Sequence, residues 1–158
     1  MGDAHGEGWT GDRGPTTTRV GRALVVTLPR ELDDGTLRAL RTDLLERVRR
    51  ERVRSVVFEA SGLDVIDAQE FRDLTAVART AAWLGVRPLL VGLSAGIVGY
   101  VVDAGLDASA FTAFGTLEDA LAALAREADE DATTSGDGRD AQAADGGTPV
   151  AKPPDGER

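Results

Sequence analysis

The chain has no cysteine. That excludes disulfides, thiolate metal sites and a cysteine nucleophile, and it fits a reducing compartment. Its one histidine, His5, stands close to the N-terminus, and its one lysine, Lys152, close to the other end. The middle of the chain therefore offers no Ser-His-Asp triad, no histidine metal site and no lysine nucleophile. Aromatic residues make up only 4 % of the chain, so a core must be built from Val, Leu, Ile and Ala. No apolar run approaches the roughly 18 residues that a membrane span needs. Met1–Thr18 is rich in Gly and Thr and has no apolar segment, so it does not read as a secretory signal. The expected location is the cytoplasm, with no membrane partner.

What remains is an ordinary apolar content of 42 % in 158 residues, enough for one domain. The net charge of −9 is unevenly spread. Glu127–Arg158 carries about −6 of it and Met1–Thr18 about −2, which leaves the middle near neutrality. An acidic chain without a basic footprint is not expected to bind nucleic acid. The wealth of Ala, Arg, Gly and Asp with little Lys fits a GC-rich bacterial genome.

Residues 1–18 lack apolar periodicity and read as disordered. From Glu127 the chain is rich in Asp, Gly, Thr and Pro, and 127–158 reads as a disordered acidic tail. The folded unit is expected over 19–126. Within it Ala23–Leu28 reads as a strand, ended by Pro29. Asp33-Asp34-Gly35 opens a helix with Leu37, Leu40, Leu44, Leu45 and Val48 on one face. Arg41, Arg47, Arg49, Arg50 and Arg52 crowd its other faces and its C-terminal end, where cations suit the helix dipole.

Ser55–Ala60 is a second strand. A helix follows over about 67–83, with Phe71, Leu74, Ala78 and Ala81 inward, Trp83 packed at its end and Gly85 beyond it as a cap glycine. Pro88–Gly92 is a third strand. Ser94 is the expected N-cap of a helix through Ile97, Val98, Val101 and Val102, closed by Gly105. Phe111–Phe114 is a short last strand, and Thr116-Leu117-Glu118-Asp119 starts a last helix with Leu117, Leu121 and Leu124 inward. A further short strand near Thr18–Gly21 has no assigned neighbour. Strict alternation of strand and helix implies an α/β fold with a small, mainly parallel sheet.

Three stretches resemble the STAS domain of bacterial anti-sigma factor antagonists and stressosome scaffold proteins. The first is Val56–Ala68, where a buried strand runs through a turn to Asp64-Val65-Ile66-Asp67-Ala68. The second is Leu90-Val91-Gly92-Leu93, followed by a helix and Asp103-Ala104-Gly105-Leu106-Asp107. The third is Phe114–Leu121, similar to the family's entry into its final helix, and Glu31-Leu32-Asp33-Asp34 is similar to the stressosome-type members. The resemblance implies a STAS fold with helices packed largely on one side of the sheet. It implies a non-enzymatic protein-interaction module of sigma-factor or stress signalling. The partners it implies are an anti-sigma factor or switch serine/threonine kinase, or other STAS domains, including copies of this chain. No cofactor and no metal are expected.

The resemblance also implies a phospho-acceptor Ser or Thr directly after the helix-start aspartate. Here that position is Ala68, so the chain has no phospho-acceptor at the family site. Asp67 has two readings, a helix N-cap and a docking residue. Asp34, Asp64, Asp67, Ala68, Gln69, Arg72 and Ser94 form the expected partner-binding set. Two other functions stay open. The Gly92–Gly96 loop before a helix suggests a small-molecule or nucleotide sensor, although it lacks the lysine of a P-loop. Asp64 and Asp67 suggest a small carboxylate-dependent enzyme or a Mg²⁺ site.

Overall fold

The computed structural model describes residues 14–136. The chain divides into two compact units, one ending at Ala123 and one beginning at Leu124. The first unit holds a five-stranded sheet: β1 (Thr16–Val20), β2 (Ala23–Thr27), β3 (Ser55–Glu59), β4 (Arg87–Val91) and β5 (Thr112–Phe114), lying side by side in that order. β1 pairs antiparallel with β2, and the other three pairings are parallel. The helices are α1 (Asp34–Glu51), α2 (Ala68–Trp83), α3 (Ala95–Asp103) and α4 (Leu117–Gly136).

β2, β3 and β4 are short runs of β-branched and aliphatic residues, buried on both faces as the inner strands of a parallel sheet are. Leu24, Val26, Val56, Phe58, Ala60 and Leu90 point into the main core. Leu37, Leu40, Leu44 and Val48 of α1 meet them there, as do Phe71, Leu74, Val77, Ala78 and Ala81 of α2 and Ile97 and Val101 of α3. Three helices thus share one face of the sheet. Val25, Val57, Leu89 and Val91 alternate with the core residues and face the other way, yet they too are buried. Ala120, in the first turn of α4, is likewise fully buried outside the main core, which assigns the start of α4 to this second face.

The strand near Thr18–Gly21 finds its place here. It is β1, it begins at Thr16, and its register runs from Thr16 opposite Thr27 to Val20 opposite Ala23. The folded unit therefore starts before residue 19. Backbone pairing to an already formed strand orders a segment with no buried face of its own. The boundary at 126 also moves. α4 continues to Gly136, and from Ala125 to Thr134 its side chains are all exposed. Good helix formers such as Ala, Glu and Arg sustain a helix without an apolar stripe. The remaining parts of the two terminal segments, 1–13 and 137–158, lie outside the described residues.

Trp83 and Leu45 sit elsewhere than expected, and Val98 and Val102 are exposed. Trp83 is 90 % exposed rather than packed. It follows Ala81, the last inward residue of α2, by two positions, about 200° around the helix, and so faces solvent. Val98 and Val102 of α3 are exposed at 45 % and 70 %, because a nine-residue helix on the sheet buries a single stripe, Ile97 and Val101. Leu45 of α1 is only half-buried and lies on the outer side of that helix. Gly85 has φ +77° and follows α2 directly, as a cap glycine should.

Candidate functional site

Every parallel strand of the sheet enters its helix at the same edge. α1, α2 and α3 therefore start together, along the C-terminal ends of β2, β3 and β4. Such an edge is where α/β sheets carry their ligands and partners. Each start is closed by its own side chain. Asp33 caps α1 by accepting from the Thr36 amide at 2.6 Å. Asp67 caps α2 by accepting from the Gln69 and Glu70 amides at 2.7 and 2.8 Å. Glu70 in turn accepts from the Asp67 amide at 2.7 Å, which completes a capping box. Ser94 caps α3 through its Oγ, which accepts from the Ile97 amide at 3.3 Å.

The loops between these caps are tied to one another. The Asp64 amide donates to the Arg30 carbonyl at 2.9 Å. The Asp64 carboxylate accepts from the Arg30 guanidinium through both Nε and Nη2. Arg30 was not legible as part of this edge, because only the fold brings the β2–α1 and β3–α2 loops together. Gly92 sits against Ser61 and Glu59 of the next loop, so the β4–α3 turn leans directly on the turn after β3. Leu63 and Ile66 of the β3–α2 loop are buried, while Val65 between them is 56 % exposed.

The expected site residues fall into place as follows. Asp67, Ala68 and Gln69 lie consecutively at the entry to α2, with Asp64 three residues earlier and Ala68 half-buried as the first helical residue. Gln69 donates from its side chain to Asp73 at 3.0 Å, and Arg72 is exposed one turn along. Asp34, in the first turn of α1, shares a groove with Asp73, Ala76 and Val77 of α2. Ser94 stands at the neighbouring helix start. The edge thus gathers Asp34, Asp67, Glu70 and Asp73 together with Arg30, Arg38, Arg41 and Arg72.

Chemistry at this edge is constrained by how its groups are engaged. The Asp67 carboxylate is committed to helix amides and that of Asp64 to Arg30. Among the described residues no three His, Asp or Glu side chains are grouped to hold a metal ion. Ser94 is occupied as a cap, and its loop presents no basic side chain of its own to a phosphate. Hydroxyls are also poorly placed. Thr75 is buried and donates to the Phe71 carbonyl at 2.8 Å. Ser61 lies in the turn after β3, upstream of the helix.

Two predictions follow from the caps. Asp67→Ala should lower stability by about 1 kcal/mol, since two amides lose their acceptor. Urea unfolding measures this, and an unchanged midpoint would deny the cap any energetic role. Asp33 is held below the usual carboxylate range, first by the Thr36 amide and then by the Thr36 hydroxyl, and Asp107 likewise by Ser109. A carboxylate whose folded pKa is depressed stabilises above its unfolded value and loses that contribution as pH falls through the folded one. Melting temperature should therefore fall as pH drops below about 4, and Asp33→Asn should flatten part of that fall.

Among the described residues no helix is long and apolar enough to cross a membrane. No curated protein matches the chain. A family model for the STAS domain matches residues 14–120. Among solved structures, the RsbS variant from Moorella thermoacetica is 25 % identical, with a TM-score of 0.60 over 71 % of this chain and 97 % of that one. A component of the stressosome, described as a signal integration and transduction hub, is 24 % identical, with a TM-score of 0.63 over 72 % and 98 %. The anti-sigma factor antagonist SpoIIAA in its unphosphorylated form is 18 % identical, with a TM-score of 0.58 over 70 % and 96 %, a likeness of fold. The five-stranded, mainly parallel sheet, the α2 start after Asp67 and the matched span of residues together establish that this chain belongs to the STAS-domain family.

Proposed function

We propose that the chain is a non-enzymatic interaction module of cytoplasmic sigma-factor or stress signalling, acting as an anti-sigma factor antagonist or stressosome-type scaffold without a phosphoswitch at the α2 start. Ala68 carries this reading. It is the first residue of α2, directly after the capped Asp67, at the edge where three helix starts converge. A phosphate there would add about −1.5 to −2 charges beside Asp67 and Glu70 at the helix start and disrupt docking by like-charge repulsion. Alanine removes that option, so the docking state is constitutive. Asp34, Asp64, Asp67, Ala68, Gln69, Arg72 and Ser94 form the contact set. The partner is an anti-sigma factor or switch serine/threonine kinase, or a sister STAS domain.

The test is incubation with the switch kinases of the source organism, followed by phosphopeptide mapping. The native chain should carry no phosphate between Ile66 and Arg72, whereas Ala68→Ser should become a substrate. Ala68→Glu should weaken partner binding by at least about tenfold, a loss of roughly 1.4 kcal/mol. Stoichiometric phosphate on the native chain within that stretch would refute the reading.

A further inference from the structure

The outer side of α1 carries a second surface, away from the α2 start. An open groove of about 730 Å³ runs along it. Its walls are Arg38, Arg41, Arg49 and Arg50, with Leu45 half-buried between them and Glu46 alongside. From Arg38 to Arg49 the stripe extends about 16 Å along the helix axis. Arg38, Arg41 and Arg49 differ from Arg47 and Arg50. Arg47 is paired with Asp43 at 3.0 Å and with Glu51 at 3.5 Å, and Arg50 lies 3.6 Å from Glu46. Arg38 reaches only the carbonyl of Asp34 in its own helix. Among the described residues no carboxylate pairs with Arg41 or Arg49. These guanidiniums form a positive stripe on a stretch, 19–126, that is near neutrality as a whole.

We propose that this groove is a docking site for an acidic amphipathic helix of a partner protein. Charge complementarity identifies the occupant. Carboxylates of the partner meet Arg38 and Arg41 at one end and Arg49 at the other, and one apolar side chain covers Leu45. Guanidinium groups form forked hydrogen bonds with carboxylates, which gives such a contact direction as well as charge. A nucleic acid fits less well. Glu46 lines the same groove and interrupts the positive track that a phosphate backbone would follow, whereas a helix can place an uncharged residue opposite it. Pairing of α1 with α1 of a second copy would set arginine against arginine and is disfavoured.

The full-length chain should be titrated by fluorescence anisotropy with a labelled helical peptide of about 15 residues, with Glu at positions matching the arginines and one central Leu. Binding should weaken by about tenfold or more in the Arg41→Glu/Arg49→Glu variant, and by less in the Arg41→Gln/Arg49→Gln variant. Both arginines are exposed, so circular dichroism should show an unchanged fold. Reversal of Arg22, in the β1–β2 turn, should leave binding intact. Replacing the central Leu of the peptide with Ser should weaken binding. Equal binding by the double variant or by the Ser peptide would overturn the proposal. So would tighter binding of a single-stranded oligonucleotide. Self-association of the chain that the double variant abolishes would assign the groove to a second copy and overturn it as well.

Discussion

Phe58→Ala should lower the unfolding free energy by about 3–5 kcal/mol. Phe58 is fully buried near the end of β3, a strand with a parallel neighbour on either side. Its ring meets Phe111 edge-on, with centroids 5.7 Å apart and planes at 85°, and Phe111 lies 6.4 Å from Phe71. With so few aromatics in the chain, this trio joins β3, α2 and the approach to β5. Truncation removes the transfer energy of the ring, leaves a cavity that close-packed neighbours cannot fill, and breaks an aromatic pair worth about 0.5–1.5 kcal/mol. Domains of this size are stable by only about 5–15 kcal/mol, so the variant should lose a large share of its stability. Urea unfolding should show a much lower midpoint with an unchanged slope. A loss below about 1 kcal/mol would mean that the core collapses around the cavity, contrary to its packing.

Gly92→Ala should cost about 2 kcal/mol and disturb the docking edge. Gly92 has φ +75°, a left-handed conformation that strains any residue with a Cβ. An added Cβ would stand 3.0 Å from both the Ser61 amide nitrogen and its Cβ, and 3.2 Å from Glu59 Oε1. Glu59 accepts from the Ser61 amide at 2.9 Å, so the contact is backed by a pinned backbone rather than a mobile side-chain tip. Relief requires the turn after β3 to move away from the β4–α3 turn. The variant should therefore lose partner affinity beyond what its lower stability explains, and binding measured well below its melting temperature separates the two effects. A variant with wild-type melting and wild-type affinity would show that the two turns are independent. By contrast, removing the solvent-exposed Arg30–Asp64 ion pair should cost less than about 1 kcal/mol.

Much of this protein was legible in the order of its residues, because the signals are local. The short apolar runs at Val56-Val57-Phe58 and Leu89-Leu90-Val91 announced buried parallel strands. Ser94 and Asp67 announced helix starts, since a cap acts within three residues of itself. The inward faces of α1 and α2 followed from helical periodicity, apart from Leu45. Ala68 in place of a hydroxyl was visible at once, and the structure adds that Thr75 is buried.

Only the tertiary structure decided the rest, because the forces involved act between segments far apart in the chain. β1 has no buried face, and β2 alone, through its backbone hydrogen bonds, makes it a strand. Arg30 becomes part of the edge only when the fold brings its loop beside Asp64, 34 positions away. The exposure of Trp83 and the unpaired arginines of α1 depend on which side of each helix meets the sheet. The sequence by itself carried the family resemblance, the inner strands and the helix starts. The packing of helices on the sheet determined which surfaces remain for a partner, since burial is settled by the sum of long-range contacts and not by any one stretch of chain.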